Sequence, residues 1–146
     1  MKNKNLISLF ALLFLTTSIF AFEQKEIAVK SNSMNKDVLV TVITPEGYST
    51  EQSYPVIYLL HGYGGNHTVW AQGGVVGQLV DQYNLIVVMP DGARDSWYFD
   101  SLITPEYRYE TFVAKELVAH IDTAYSTIAD RANRAITGLS MGGHGA

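Results

Sequence analysis

Gly138-Leu139-Ser140-Met141-Gly142 constrains this chain more than any other stretch. It sets one serine between two glycines, directly after the apolar run Ala135-Ile136-Thr137 and directly before Gly143, His144, Gly145 and Ala146. The run predicts a short buried strand, and the small residues predict a helix packed closely behind it. A serine at such a junction sits on a sharp, strained turn that lifts its hydroxyl clear of the sheet. The residues two before and two after must be small, because their side chains would collide. Gly138 and Gly142 meet that demand.

A second loop strengthens the reading. Pro55-Val56-Ile57-Tyr58-Leu59-Leu60 is a continuous apolar run bounded by Pro and Gly, as expected of a strand buried on both faces. His61-Gly62-Tyr63-Gly64-Gly65 follows it at once. A glycine loop in that place can bring a backbone N–H to a substrate carbonyl oxygen. A dinucleotide phosphate loop would need G-x-G-x-x-G, but His67 occupies the third glycine position. A plain turn is the other reading of the loop.

Around these two motifs the chain reads as one domain without repeats. Glu26–Lys30 and Val38–Thr44 alternate like half-exposed strands of a hairpin, the second ending at Pro45 with the turn Glu46-Gly47. A helix is expected near Val75–Tyr83 and a buried strand over Leu85–Met89. Tyr109–Tyr125 reads as a second helix, with Val113, Leu117, Ile121 and Ala124 on one face. Strand and helix alternate, so the predicted class is α/β, a mostly parallel sheet covered by helices on both faces.

At this point the chain resembles the esterase D-like branch of the α/β-hydrolases, which includes feruloyl and acetylxylan esterases, S-formylglutathione hydrolase and mycolyltransferases. The resemblance rests on His61-Gly62-Tyr63-Gly64-Gly65-Asn66 with Trp70, and on Met89-Pro90-Asp91-Gly92. It continues through Ser96-Trp97-Tyr98, Tyr109-Glu110-Thr111, Asp130-Arg131, and Arg134-Ala135-Ile136-Thr137-Gly138-Leu139-Ser140-Met141-Gly142-Gly143. His144 matches a position where this branch carries His or an aromatic residue, so its presence does not mark it as catalytic. The resemblance implies an α/β-hydrolase fold and a carboxylic ester substrate, with an acyl or feruloyl group on a plant polysaccharide as one form.

The N-terminus carries Lys2 and Lys4, then a mostly apolar run from Leu6 to Leu15, then Thr16-Thr17-Ser18 and Ala21. Residues 1–21 read as a secretory signal peptide and 22–146 as the mature part, and a membrane anchor is the alternative. Removing those two lysines takes the formal net charge from −4 to −6. With no basic cluster, nucleic acid and anionic membrane surfaces are not expected as partners. No cysteine is present, so no disulfide supports an exported domain. The expected location is secreted or periplasmic, without stable membrane insertion after cleavage. Export disfavours S-formylglutathione, an intracellular substrate.

A nucleophilic serine needs a base. In this fold the order is Ser, then Asp or Glu, then His, and a domain of this kind runs to roughly 200–250 residues. Both partners are therefore expected beyond residue 146. Residues 22–146 are expected to be the N-terminal part of the domain and inactive by themselves. The local histidines offer poor substitutes. His61 belongs to the loop, His67 reads as a surface residue, His120 reads as paired with Glu116, and His144 points along its helix away from the hydroxyl. They also lack zinc-ligand spacing, and no metal or cofactor is expected.

The expectation is a serine esterase in which Ser140 forms an acyl-enzyme and the N–H groups of Tyr63 and Met141 hold the oxyanion. Trp97 and Tyr98, on the loop from Asp91 to Pro105, are candidate substrate contacts, and packing of that loop is the competing reading. Trp70 reads as core. Acyl transfer to a sugar acceptor, or a non-catalytic binding domain on the same fold, are the alternatives to hydrolysis.

Overall fold

Strand β3 (Val56–Leu60) turns Val56, Tyr58 and Leu60 to one face of a sheet and Ile57 and Leu59 to the other. Strand β4 (Ile86–Pro90) does the same with Ile86 and Val88 against Val87 and Met89. Both faces are apolar because both are covered, which is why these runs do not alternate with polar residues. The computed structural model describes residues 22–146, so the expected signal peptide lies outside the described residues.

The sheet is completed by β1 (Glu23–Ser31), β2 (Lys36–Thr44) and β5 (Arg134–Gly138), in the order β1-β2-β4-β3-β5. β1 and β2 form the expected antiparallel hairpin. β2 also runs antiparallel to β4, whereas β4, β3 and β5 are parallel. The sheet is therefore mixed, its antiparallel half coming from the hairpin and its parallel half from the strand–helix–strand units. Helix α1 (Val75–Tyr83) seals the face carrying Ile43, Val87 and Met89 through Val80 and Val76.

The opposite face takes one continuous helical rod. It opens as α2 (Tyr109–Thr111), widens into a π-helical stretch over Phe112–Leu117, and ends as α3 (Val118–Ala124). Phe112, Val113, Leu117 and Ile121 are buried in that core with Val40, Val88 and Leu60. Ala124 departs from expectation. It is exposed, because it is the last helical residue before the chain turns into extended backbone at Tyr125. Among the described residues no helix is long and apolar enough to cross a membrane.

β5 also departs from expectation. Ala135, Ile136 and Thr137 are exposed rather than buried. β5 pairs only with β3 among the described residues, so it forms a sheet edge. Open apolar grooves flank it on both faces. One, of about 320 Å³, lies between Tyr58, Val113, Val118 and Ile136. The other, of about 250 Å³, lies between Leu59, Val76, Leu79 and Thr137. An apolar run signals burial only when something packs on it, and the run cannot say how much of each face is covered.

Candidate active site

The turn from β5 into α4 (Met141–Gly145) is as sharp as its glycines require. Ser140 sits at φ +54°, ψ −116°, a region L-residues rarely adopt. A Cβ built on Gly142 would lie 2.2 Å from the Leu60 carbonyl oxygen, and one on Gly138 would lie 2.5 Å from the Gly142 carbonyl carbon and 2.6 Å from that same oxygen. The two glycines thus let the serine turn press directly against the end of β3. Met141 is buried beneath, while Ser140 itself is exposed.

The loop after β3 meets this turn. A Cβ on Gly62 would stand 3.3 Å from the Leu139 carbonyl oxygen and 3.6 Å from Ser140 Cβ. Gly64 has φ +75° and donates its N–H to the Arg94 carbonyl at 2.8 Å. Among the described residues, neither the Tyr63 N–H nor the Met141 N–H donates to a backbone acceptor. Both belong to residues on either side of the Ser140 turn.

His61 pins the loop from below. It is 1% exposed, with Nδ1 2.8 Å from the Gly62 carbonyl and Nε2 2.8 Å from the Gly92 backbone nitrogen. A carbonyl can only accept and an N–H can only donate, so the imidazole is neutral with its proton on Nδ1. Asp91 Oδ1 stands 3.7 Å from Nε2, too far for a hydrogen bond, and takes the Ala93 N–H at 2.8 Å instead. Trp70 donates its indole N–H to the Leu60 carbonyl at 3.1 Å while packing beside α1, as expected of a core residue.

The other histidines settle differently from expectation in two cases. His67 is not a surface residue. It is 7% exposed and bonded through Nε2 to Glu26 of β1 at 2.7 Å. Its loop folds back over the hairpin, a contact forty-one residues away that no local pattern announces. Glu116 is not paired with His120. Its carboxylate accepts from Ser31 Oγ at 2.6 Å and from the Ser33 N–H at 2.8 Å, tying the π-helical stretch to the hairpin turn. Among the described residues, no three His, Asp or Glu side chains are placed to hold a metal.

The loop after β4 is strained. Trp97 and Tyr98 are consecutive left-handed residues, at φ +54° and +58°. Each costs about 1–2 kcal/mol relative to ordinary backbone and needs a compensating contact. Tyr98 supplies it. Its ring is 3% exposed and lies where a Cβ on Gly92 or Gly145 would come within 2.4 or 2.6 Å. Its hydroxyl donates to the His61 carbonyl at 3.2 Å, and burial pushes the phenol's pKa well up, so it stays protonated. Tyr98 therefore packs inside the loop, the competing reading of it. Trp97 remains 44% exposed, and Phe99 beside it 55%.

The Esterase family model matches residues 31–146. The endo-1,4-beta-xylanase/feruloyl esterase of Xylanibacter ruminicola is 35% identical over 133 residues, which cover 82% of this chain and 18% of that protein. The acetyl esterase of Caldicellulosiruptor saccharolyticus is 36% identical over 95 residues, 65% of this chain and 35% of that protein. Among solved structures, a ferulic acid esterase is similar with a TM-score of 0.76 at 35% identity, over 87% of this chain and 52% of its own. An S-formylglutathione hydrolase from Agrobacterium tumefaciens shares the fold with a TM-score of 0.76 at 23% identity and the same coverage. The chain thus spans about half the length of these solved relatives and 18% and 35% of the two curated ones.

Proposed function

The chain belongs to the Esterase family, in the esterase D-like branch of the α/β-hydrolases, and from that premise we propose that it carries the nucleophile and oxyanion side of an exported serine carboxylesterase. The observation that carries this reading is the strained, exposed Ser140 at φ +54°, seated against the glycine loop by Gly138 and Gly142. Its hydroxyl attacks the ester carbonyl carbon, the carbonyl oxygen becomes an oxyanion, and the collapsing intermediate expels the alcohol to leave an acyl-Ser140. Water then releases the acid. The free N–H groups of Tyr63 and Met141 are the donors for the oxyanion, each such donor contributing about 3–4 kcal/mol to the transition state.

The base lies outside the four histidines described. His61 is held neutral between Gly62 and Gly92, His67 is bonded to Glu26, His120 lies on α3, and His144 packs against aromatic rings. The relatives named for feruloyl and acetyl esters support an acyl or feruloyl ester of a polysaccharide as the substrate. The lysine-flanked apolar leader, residues 1–21, supports export.

The test is turnover of methyl ferulate and p-nitrophenyl acetate by the full-length protein, with fluorophosphonate labelling mapped by mass spectrometry. Turnover with the label on Ser140 is expected. A label on another residue, or turnover without labelling, removes Ser140 from the mechanism.

The oxyanion assignment has its own test. Nothing lies within 4 Å of a Cβ on Gly64, but its φ of +75° disfavours any side chain. Gly64→Val should therefore shift the loop's backbone and lower kcat about 100-fold, with a smaller change in KM. A normal kcat with a raised KM would make the loop a substrate-binding feature instead.

A further inference from the structure

Among the described residues, four hydrogen bonds tie the loop His61–His67 to distant segments, and one differs from the rest. Three lead to the loop after β4. The Gly92 N–H donates to His61 Nε2 at 2.8 Å, the Gly64 N–H to the Arg94 carbonyl at 2.8 Å, and the Tyr98 hydroxyl to the His61 carbonyl at 3.2 Å. Bonds between two loops let both move as one body. The fourth joins His67 Nε2 to Glu26 Oε2 at 2.7 Å. Glu26 lies on β1, opposite Thr41 of β2, so this bond fastens the loop to the sheet.

His67 does more than fill space. Its Nδ1 is buried without a hydrogen-bond partner among the described residues, and Asp91 Oδ2 stands 3.8 Å away. A buried polar atom left unpaired costs stability, which a carbon ring of similar shape would not. What the imidazole supplies instead is its Nε2 bond. A carboxylate can only accept, so Nε2 carries the proton and donates it to a charged partner. The Glu26 side chain at the other end is 56% exposed. The segment between His67 and Tyr63 is stiff. The Gly65 N–H donates to the Gly62 carbonyl at 3.0 Å, and a Cβ on Gly65 would lie 3.1 Å from that oxygen and from His61 Nδ1. Asn66 Oδ1 accepts the Thr68 N–H at 2.9 Å. A displacement at His67 is therefore passed on to Tyr63 rather than absorbed.

We propose that His67 is a positioning residue for the reaction, and that its bond to Glu26 holds the loop so that the Tyr63 N–H stays aimed at the forming oxyanion. This rests on the esterase reading and extends it to a residue remote from the reacting atoms. An oxyanion donor acts on the transition state, so a slack loop lowers kcat and leaves KM in place. A residue that only supported the fold would lower Tm and the amount of active protein, with kcat per active serine unchanged.

The experiment cuts the bond from its exposed end. The full-length protein is compared with Glu26→Ala, which removes the acceptor, and with Glu26→Gln, whose amide oxygen still accepts the Nε2 proton. Turnover of p-nitrophenyl acetate is measured well below the Tm of each variant, per serine labelled by fluorophosphonate. In Glu26→Ala kcat should fall about 10-fold at unchanged KM, while Glu26→Gln should stay within about twofold of the unmutated protein. An unchanged kcat in Glu26→Ala, a loss carried by KM, or a Glu26→Gln as poor as the alanine variant overturns the proposal. Hydrogen exchange of the backbone amides of residues 61–67 separates the tether from the chemistry. It should be about 10-fold faster in Glu26→Ala and not in Glu26→Gln. If the unmutated protein turns over no ester and exchange shows this pattern, the esterase reading falls and the loop tether stands. Exchange unmoved by Glu26→Ala removes the tether whatever the turnover.

Discussion

Ser140→Ala should reduce ester turnover by the full-length protein at least about 10⁴-fold, because removing the nucleophile of such a site leaves only binding and the oxyanion donors. The fold should survive. Ser140 is exposed, and alanine inherits the same backbone without creating a cavity. The control that makes this diagnostic is Ser140→Gly. Glycine adopts φ +54° without steric cost, so it should be more stable than Ser140→Ala by about 1–2 kcal/mol, a rise of several degrees in Tm. Activity lost together with stability gained is the signature of a residue held in strain for chemistry. Turnover retained in purified Ser140→Ala would remove Ser140 from the mechanism. Equal Tm values for the alanine and glycine variants would mean that the turn is not strained.

Gly142→Ala should be severe for the opposite reason. On helix propensity alone, alanine would be favoured at this position by up to about 1 kcal/mol. Packing decides against it. The new Cβ would fall 2.2 Å from the Leu60 carbonyl oxygen and 2.6 Å from its carbon, and both atoms are backbone at the end of a buried strand. Nothing there can swing away, so either β3 or the serine turn must shift. A loss of about 3 kcal/mol is expected, on the order of 10 °C in Tm, with ester turnover falling by more than the remaining folded fraction explains. Gly143 is the internal comparison. A Cβ there would meet the Gly138 carbonyl oxygen at 3.2 Å, which a small adjustment relieves, so Gly143→Ala should cost far less. The measurement is thermal unfolding of both variants beside their kcat/KM. Equal destabilisation by the two would show that crowding against Leu60 is not what requires glycine at 142.

These outcomes bear on how much was readable beforehand. The limits of α1, the β1–β2 hairpin and the buried strands β3 and β4 followed from local pattern, because periodicity and turn residues act over a few positions. The glycines about Ser140 were legible for the same reason, since their demand arises within five residues of chain. The bond from His67 to Glu26 was not legible, nor was the engagement of Glu116 by Ser31 and Ser33, because each joins elements far apart in sequence. Which of the loop aromatics turns inward was not legible either. Composition marks them all as aromatic loop residues, and only the left-handed turn at Trp97 and Tyr98 decides which ring goes inward.

By itself the sequence determined the class of fold, the strand-to-helix serine turn and the glycine loop that meets it, because backbone sterics write those into residue type at fixed spacing. Tertiary structure alone decided the order β1-β2-β4-β3-β5 and the antiparallel seam between β2 and β4. It also decided that His61 is a neutral strut between two loops and that the Trp97 and Phe99 rings pack on His144. The physical reason is the same in each case. Hydrophobic burial is non-directional, so an apolar residue records that it prefers to be covered but not by which partner, and that choice is made only when distant segments compete for the same faces of one sheet.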